Sequence, residues 1–98
     1  MVLAKSGNAT VGSHTVVAVD EILGSILFGG SDGTNFAWGA TISAEVDDTP
    51  GAGDMPTRIT FDTSPNASET PVERMRIDSA GHTIFGGTAS VPSVFTVQ

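Results

Sequence analysis

Three stretches of this chain alternate apolar and polar residues with a period of two. They are "WGATISAEVD" (38–47), "TRITFDT" (57–63) and "VERMRID" (72–78). A period of two places successive side chains on opposite faces of an extended backbone, which is the signature of a half-buried β-strand. Two segments rich in turn residues separate the three, "DDTPGAGDMP" (47–56) and "SPNASETP" (64–71). Their prolines, glycines and small polar residues favour chain reversal over continued extension. The expected unit is therefore a three-stranded antiparallel meander over 38–78.

The side chains fix its register. Pairing Glu45 with Arg58 also sets Ala44 opposite Ile59, Ser43 opposite Thr60, Ile42 opposite Phe61 and Thr41 opposite Asp62. Extending the same rule to the third stretch sets Arg58 opposite Asp78, Ile59 opposite Ile77, Thr60 opposite Arg76, Phe61 opposite Met75 and Asp62 opposite Arg74. One face is then apolar and the other charged. A slip by one residue would send every apolar side chain to the wrong face. Cross-strand pairs of matched character each contribute roughly 0.2–1 kcal/mol. Arg58, Asp62, Arg74, Arg76 and Asp78 are thus read as register-setting charges, not as a recognition site.

The remaining chain reads the same way. "TVVAVDEILGSILFGG" (15–30) holds two β-rich runs, broken near Asp20-Glu21 and at Gly24, and "SDGTN" (31–35) is a turn. "TIFGG" (83–87) and "VFTVQ" (94–98) are short strands, the latter seeming cut in mid-course, so the 98 residues are read as one β-rich segment of a longer chain. "SILFGGS" (25–31) is echoed weakly by "HTIFGGT" (82–88). Gly, Pro, Ser, Thr and Asn supply 42 residues, whereas Leu, Lys, Gln and Glu supply nine. Strong helix formers are scarce, and no amphipathic helix is available to cover a sheet. The fold class is all-β, built of short antiparallel strands and meanders. A three-stranded sheet cannot bury its own apolar face. That face must close on other strands of the chain or on further copies of it.

Charge and composition narrow the function. A formal charge of -7 argues against a nucleic-acid partner and against attachment to an anionic membrane. No apolar run approaches the ~20 residues of a membrane-spanning helix, and "MVLAKSGNAT" lacks the apolar core of a signal peptide. The chain has no cysteine, hence no disulfide framework and no thiolate site. His14 and His82 lie far apart with no metal-binding spacing. Asp47, Asp48 and Asp54 surround a glycine-rich loop and carry the oxygen ligands calcium prefers, but their spacing is not that of an EF-hand, and solvated loop acids are the simpler reading. "FGGSDGTN" (28–35) lacks the lysine and helix of a phosphate-binding loop. "NAT" (8–10) and "NAS" (66–68) match the glycosylation pattern, which without evidence of secretion marks only polar turns. No nucleophile, base and orienting acid stand in a recognisable order, so no catalysis, metal or cofactor is expected. Trp38, the single tryptophan, is read as a core or interface anchor before a sugar-stacking platform. Loops carry recognition on rigid scaffolds. The candidate contact residues are accordingly Asp47, Asp48 and Asp54 of the first loop, Asn66 and Glu69 of the second, and Trp38.

Three pieces, "FGGSDGTNF", "ATISAEVDDTPGAGDMPTRITFDTSP" and "TPVERMRIDSAG", follow one another in residues 24–81, 58 of the 98. In that order they resemble a segment recurrent in the tail fibre and tailspike proteins of tailed bacteriophages and their prophages. After Gly81 the chain departs from the pattern, with "HTIFGGTASVPSVFTVQ" where relatives continue with an Asn-Val-Gly-Ile-Gly-Thr type of run. The resemblance implies an elongated, intertwined homotrimer and a place in the virion. It also implies a structural or receptor-binding part in host attachment, with a surface glycan or outer-membrane protein as receptor. Such segments often precede a self-cleaving chaperone domain, which this stretch lacks, and they supply no catalytic residues. The alternatives are a module of a tailspike polysaccharide depolymerase, with Glu45, Asp47, Asp48 and Asp54 as its available acids, and a trimeric bacterial adhesin stalk.

Overall fold

A computed structural model describes residues 1–10 and 12–86; the strand expected over 94–98 and the end of the one expected over 83–87 lie outside them. Five strands form one antiparallel sheet in sequence order: β1 (Ile22–Ser31), β2 (Phe36–Val46), β3 (Thr57–Thr63), β4 (Val72–Ile77) and β5 (Thr83–Phe85). No helix occurs among the described residues. The all-β reading holds, and the 38–78 stretch forms the middle of a longer five-stranded meander.

Short turns close it. Between β1 and β2, Asp32 N donates to Asn35 O (2.9 Å) while Gly33 adopts a φ of 96°, which its missing Cβ permits. Asp32 Oδ1 accepts from the amides of Asn35 and Thr34, each at 2.8 Å, and these bonds hold its carboxyl below the usual value. Between β4 and β5, Asp78 caps the turn, its Oδ1 accepting from His82 N (2.8 Å) and Ala80 N (3.0 Å).

The β2–β3 register is the one that alternation dictates, from Thr41↔Asp62 to Glu45↔Arg58. Between β3 and β4, Ile59↔Ile77, Thr60↔Arg76 and Phe61↔Met75 also pair as expected. Two pairings differ. A bulge between Phe61 and Asp62 makes Asp62 face Glu73, not Arg74. One step along β3 there corresponds to two along β4, so Arg74 is the extra residue, and its Nε donates to Thr63 Oγ1 (3.0 Å). In a regular strand residues three apart point to opposite faces. The bulge reverses that parity, and Glu73 closes a two-pronged ion pair on Arg76, with both bonds at 2.8 Å. Asp78 does not face Arg58 either, because β4 ends at Ile77 and Asp78 caps the following turn.

The first expected run, near residues 15–20, is not a strand, and β1 passes through Gly24 with a register irregularity between Ile22 and Gly24 instead of a break. The preceding segment crosses the end of the sheet. Val46 N donates to Glu21 O (2.9 Å) and Asp20 N to Val46 O (2.8 Å), with Asp20 at a φ of 70°. Val46, at this crossing, and Val17, in the segment that leads to it, are the buried apolar residues among those described.

Candidate functional site

A row of apolar side chains crosses the entire sheet. Ile26 pairs with Ile42, Ile42 with Phe61, Phe61 with Met75, and Met75 with Phe85. The neighbouring row on the same face runs Gly24, Ala44, Ile59, Ile77, Thr83. Ile26 stays 42% exposed, Ile59 40%, Ile77 36% and Phe85 42%. The intervening row on the opposite face runs Ser25, Ser43, Thr60, Arg76, Ile84, and there Ser43 is 7% exposed and Thr60 1%. The hydroxyls of Ser25 and Ser43 bond to each other at 2.8 Å. The sheet thus covers its small polar row, while the ends of its large apolar row and the isoleucines of the neighbouring row stay partly exposed. Covering the open part of each large side chain is worth roughly 1 kcal/mol. Leu3 makes a partial start, packing on Gly24 so closely that a Cβ there would lie 2.8 Å from Leu3 Cβ.

The charged groups gather at one centre. Arg58 Nε donates to Glu45 Oε1 (2.9 Å), Nη2 to Asp20 Oδ1 (2.9 Å), and Nη1 to Asp47 Oδ1 (3.3 Å) and Val46 O (3.4 Å). Its side chain is only 11% exposed. Burial alone would lower its basicity, but the bonds to Asp20, Glu45 and Asp47 outweigh burial and raise it well above normal. Asp47 Oδ2 also accepts from Ser79 N (2.9 Å). That bond, with Arg58 beside it, holds the Asp47 carboxyl below its usual value. The N-terminal segment, β2, β3 and the β4–β5 turn are therefore fastened at one point. Glu73 likewise makes the Arg76 guanidinium more basic than usual.

The other sequence candidates are scattered. Asp47 points to the Arg58 centre and is not a free loop acid. Asp48 accepts from the amide of Thr49 (2.7 Å), and Asp54 is held by paired backbone bonds to Gly51. Among the described residues no three acids or histidines stand close enough to hold a metal ion. Asn66 and Glu69 are exposed on the second loop, beside Ala67 at a φ of 65°. Trp38 is half exposed. Its ring lies over Gly29, where a Cβ would meet Cε3 at 3.0 Å, and its carbonyl accepts from Ser64 Oγ (2.8 Å). Sequence reasoning missed Asp20, distant in the chain from Arg58, and Glu73, which only the bulge brings round to Arg76.

With this geometry in view, comparison with solved proteins places the architecture. The whole chain superposes on part of the carboxy-terminal domain of the bacteriophage T5 L-shaped tail fibre, with a TM-score of 0.62 and 15% identity. The chain has a tail-fibre-like fold. It spans 40% of the length of that phage chain. No protein-family model and no curated protein sequence matches it.

Proposed function

We propose that this chain is a structural segment of a phage tail fibre, carried in the virion, in which three copies pack their apolar sheet faces together. The observation that carries this reading is the tail-fibre-like fold over the full chain. The partly exposed Ile26, Ile59 and Ile77 on one sheet face support it, since an exposed apolar face is stabilised by covering. A shared interior also suits a segment whose buried apolar residues, among those described, are Val17 and Val46.

In this role the sheet holds loops 47–56 and 64–71 away from the shared interior. Asp48, Asp54, Asn66 and Glu69 then become the residues that meet a host surface glycan or outer-membrane receptor, and no chemistry is required of the segment. Light scattering on the purified chain tests the assembly, with three copies per particle expected and a clean monomer at micromolar concentration ruling it out. Exchanging both loops tests the attachment role. Unchanged adsorption to host cells would make the segment a spacer.

A further inference from the structure

A cleft of about 410 Å³ opens between the N-terminal loop and the β2–β3 loop. Its lining includes Lys5, His14, Thr15, Val17, Ala52 and Met55, and it contains no acid. That is unusual in a chain with 11 acids against four lysines and arginines. The three arginines are engaged elsewhere: Arg58 with Asp20, Glu45 and Asp47, Arg76 with Glu73, and Arg74 with Thr63. Lys5, the single lysine, has only a long contact to Glu21 at 3.9 Å, and the His14 ring makes no hydrogen bond or ion pair among the described residues. The volume falls within the roughly 300–1,000 Å³ of small-molecule sites.

Both walls are internally tied, so the cleft is formed before any ligand arrives. On one side Gly7 N donates to Thr15 O (2.9 Å), Ser6 Oγ accepts from Thr15 N (3.0 Å), and Asn8 Nδ2 donates to Thr15 Oγ1 (2.9 Å). On the other, Gly51 and Asp54 exchange backbone bonds at 2.9 and 3.0 Å. Both wall hydroxyls already accept hydrogen bonds from the walls. What remains for a ligand is the Lys5 ammonium, the His14 ring and the apolar side chains of Val16, Ala52 and Met55. Preorganised walls lower the ordering cost of binding.

We propose that this cleft binds a small carboxylate-bearing ligand, its charge at Lys5 with the His14 ring as a hydrogen-bond donor, and an apolar flank of its carbon skeleton on Met55 and Ala52. A sugar acid and an aromatic or acyl acid share this chemistry. The site uses neither the apolar sheet face nor the number of copies, so it stands or falls separately from the fibre reading.

Amide chemical-shift titration of the intact chain at matched ionic strength tests it, with glucuronate, benzoate and glucose as probes. Saturable shifts confined to residues 5–6, 14–17 and 51–55 are expected with at least one of the two acids. Glucose, which lacks the charge, is expected to bind at least about fivefold more weakly. Lys5→Gln should weaken the acid by about the same factor and Lys5→Arg should restore it. Strand dichroism checks that each variant is folded. Which acid binds identifies the ligand class. Failure of both acids to saturate would overturn the site, as would equal binding of glucose or indifference to Lys5→Gln.

Discussion

Arg58 offers a direct test of how burial weights an ion pair. Its Nη2 stands 2.9 Å from Asp20 and 2.8 Å from Glu45, nearly the same distance. The surroundings differ. The Glu45 side chain is 19% exposed, that of Asp20 73%. Water screens the Asp20 pair, whose coupling should be about 0.5 kcal/mol. Glu45 takes two guanidinium contacts at one oxygen in a partly desolvated setting, and charge-assisted bonds there are worth about 1.5–2.5 kcal/mol. The perturbation is Arg58→Met, which keeps the apolar stem, combined in double-mutant cycles with Glu45→Gln and with Asp20→Asn. Arg58→Met alone should cost about 3 kcal/mol, since it leaves two poorly solvated carboxylates without their cation. Urea unfolding at one fixed protein concentration reads each corner of the cycles. A Glu45 coupling at least about 1 kcal/mol above the Asp20 coupling is expected. Equal couplings, or a larger one for Asp20, would refute the claim that burial ranks these pairs.

Three further expectations follow from other parts of the molecule. Ile59→Lys, on the half-open face, should preserve strand dichroism and abolish self-association in light scattering; retained assembly would locate the interface elsewhere. The folded-state value of the Asp47 carboxyl is depressed from 3.8, so its contribution is fully present above that value and disappears as pH falls through the lower folded value. Asp47→Asn should therefore flatten the loss of stability as pH falls below about 4 in acid unfolding, and an unchanged slope would contradict its bond to Ser79. Gly24→Ala should push Leu3 off the sheet, because the new Cβ would lie 2.8 Å from Leu3 Cβ and 2.9 Å from its Cδ1. Trypsin cleavage after Lys5 should then accelerate, and an unaltered rate would show that the N-terminal residues are held by other contacts.

What could be read from sequence here is what alternation encodes. "ATISAEV" and "TRITFDT" pair without interruption, and each apolar residue that the period places on one face is found there. "VERMRID" alternates just as cleanly, yet the structure inserts a bulge at Arg74. The reason is electrostatic and local. A straight register leaves Glu73 and Arg76 on opposite faces, and the extra residue joins them in a bidentate pair. Period counting has no term for such a gain. It has none for Asp20 either, whose approach to Arg58 depends on the path of a segment with no strand of its own. Asp47 escapes it for the same reason: in sequence it looks like its neighbours, and only the fold turns it inward to Arg58 and Ser79.

The two faces of the sheet resolve why so small a chain carries so regular a pattern. On a self-sufficient domain the isoleucine row would be the hidden one and the serine-threonine row would be wet. Here Thr60 and Ser43 are buried, while the long side chains of Arg58, Glu45, Arg76 and Glu73 tie that same face together through charge-assisted bonds. The polar face is thus rigidified by contacts within the chain, and the apolar face keeps Ile26, Ile59 and Ile77 partly exposed. Rigidity on one side lowers the ordering cost of docking on the other. If copies dock through the apolar face as proposed, weakening the Arg76–Glu73 pair should loosen that assembly as well as the monomer. Glu73→Gln, far from the apolar face yet part of the bulge, should raise the concentration at which copies associate by about threefold, read by sedimentation, with Ile59 and Phe61 unaltered. An association midpoint that ignores Glu73→Gln would mean that the two faces act independently.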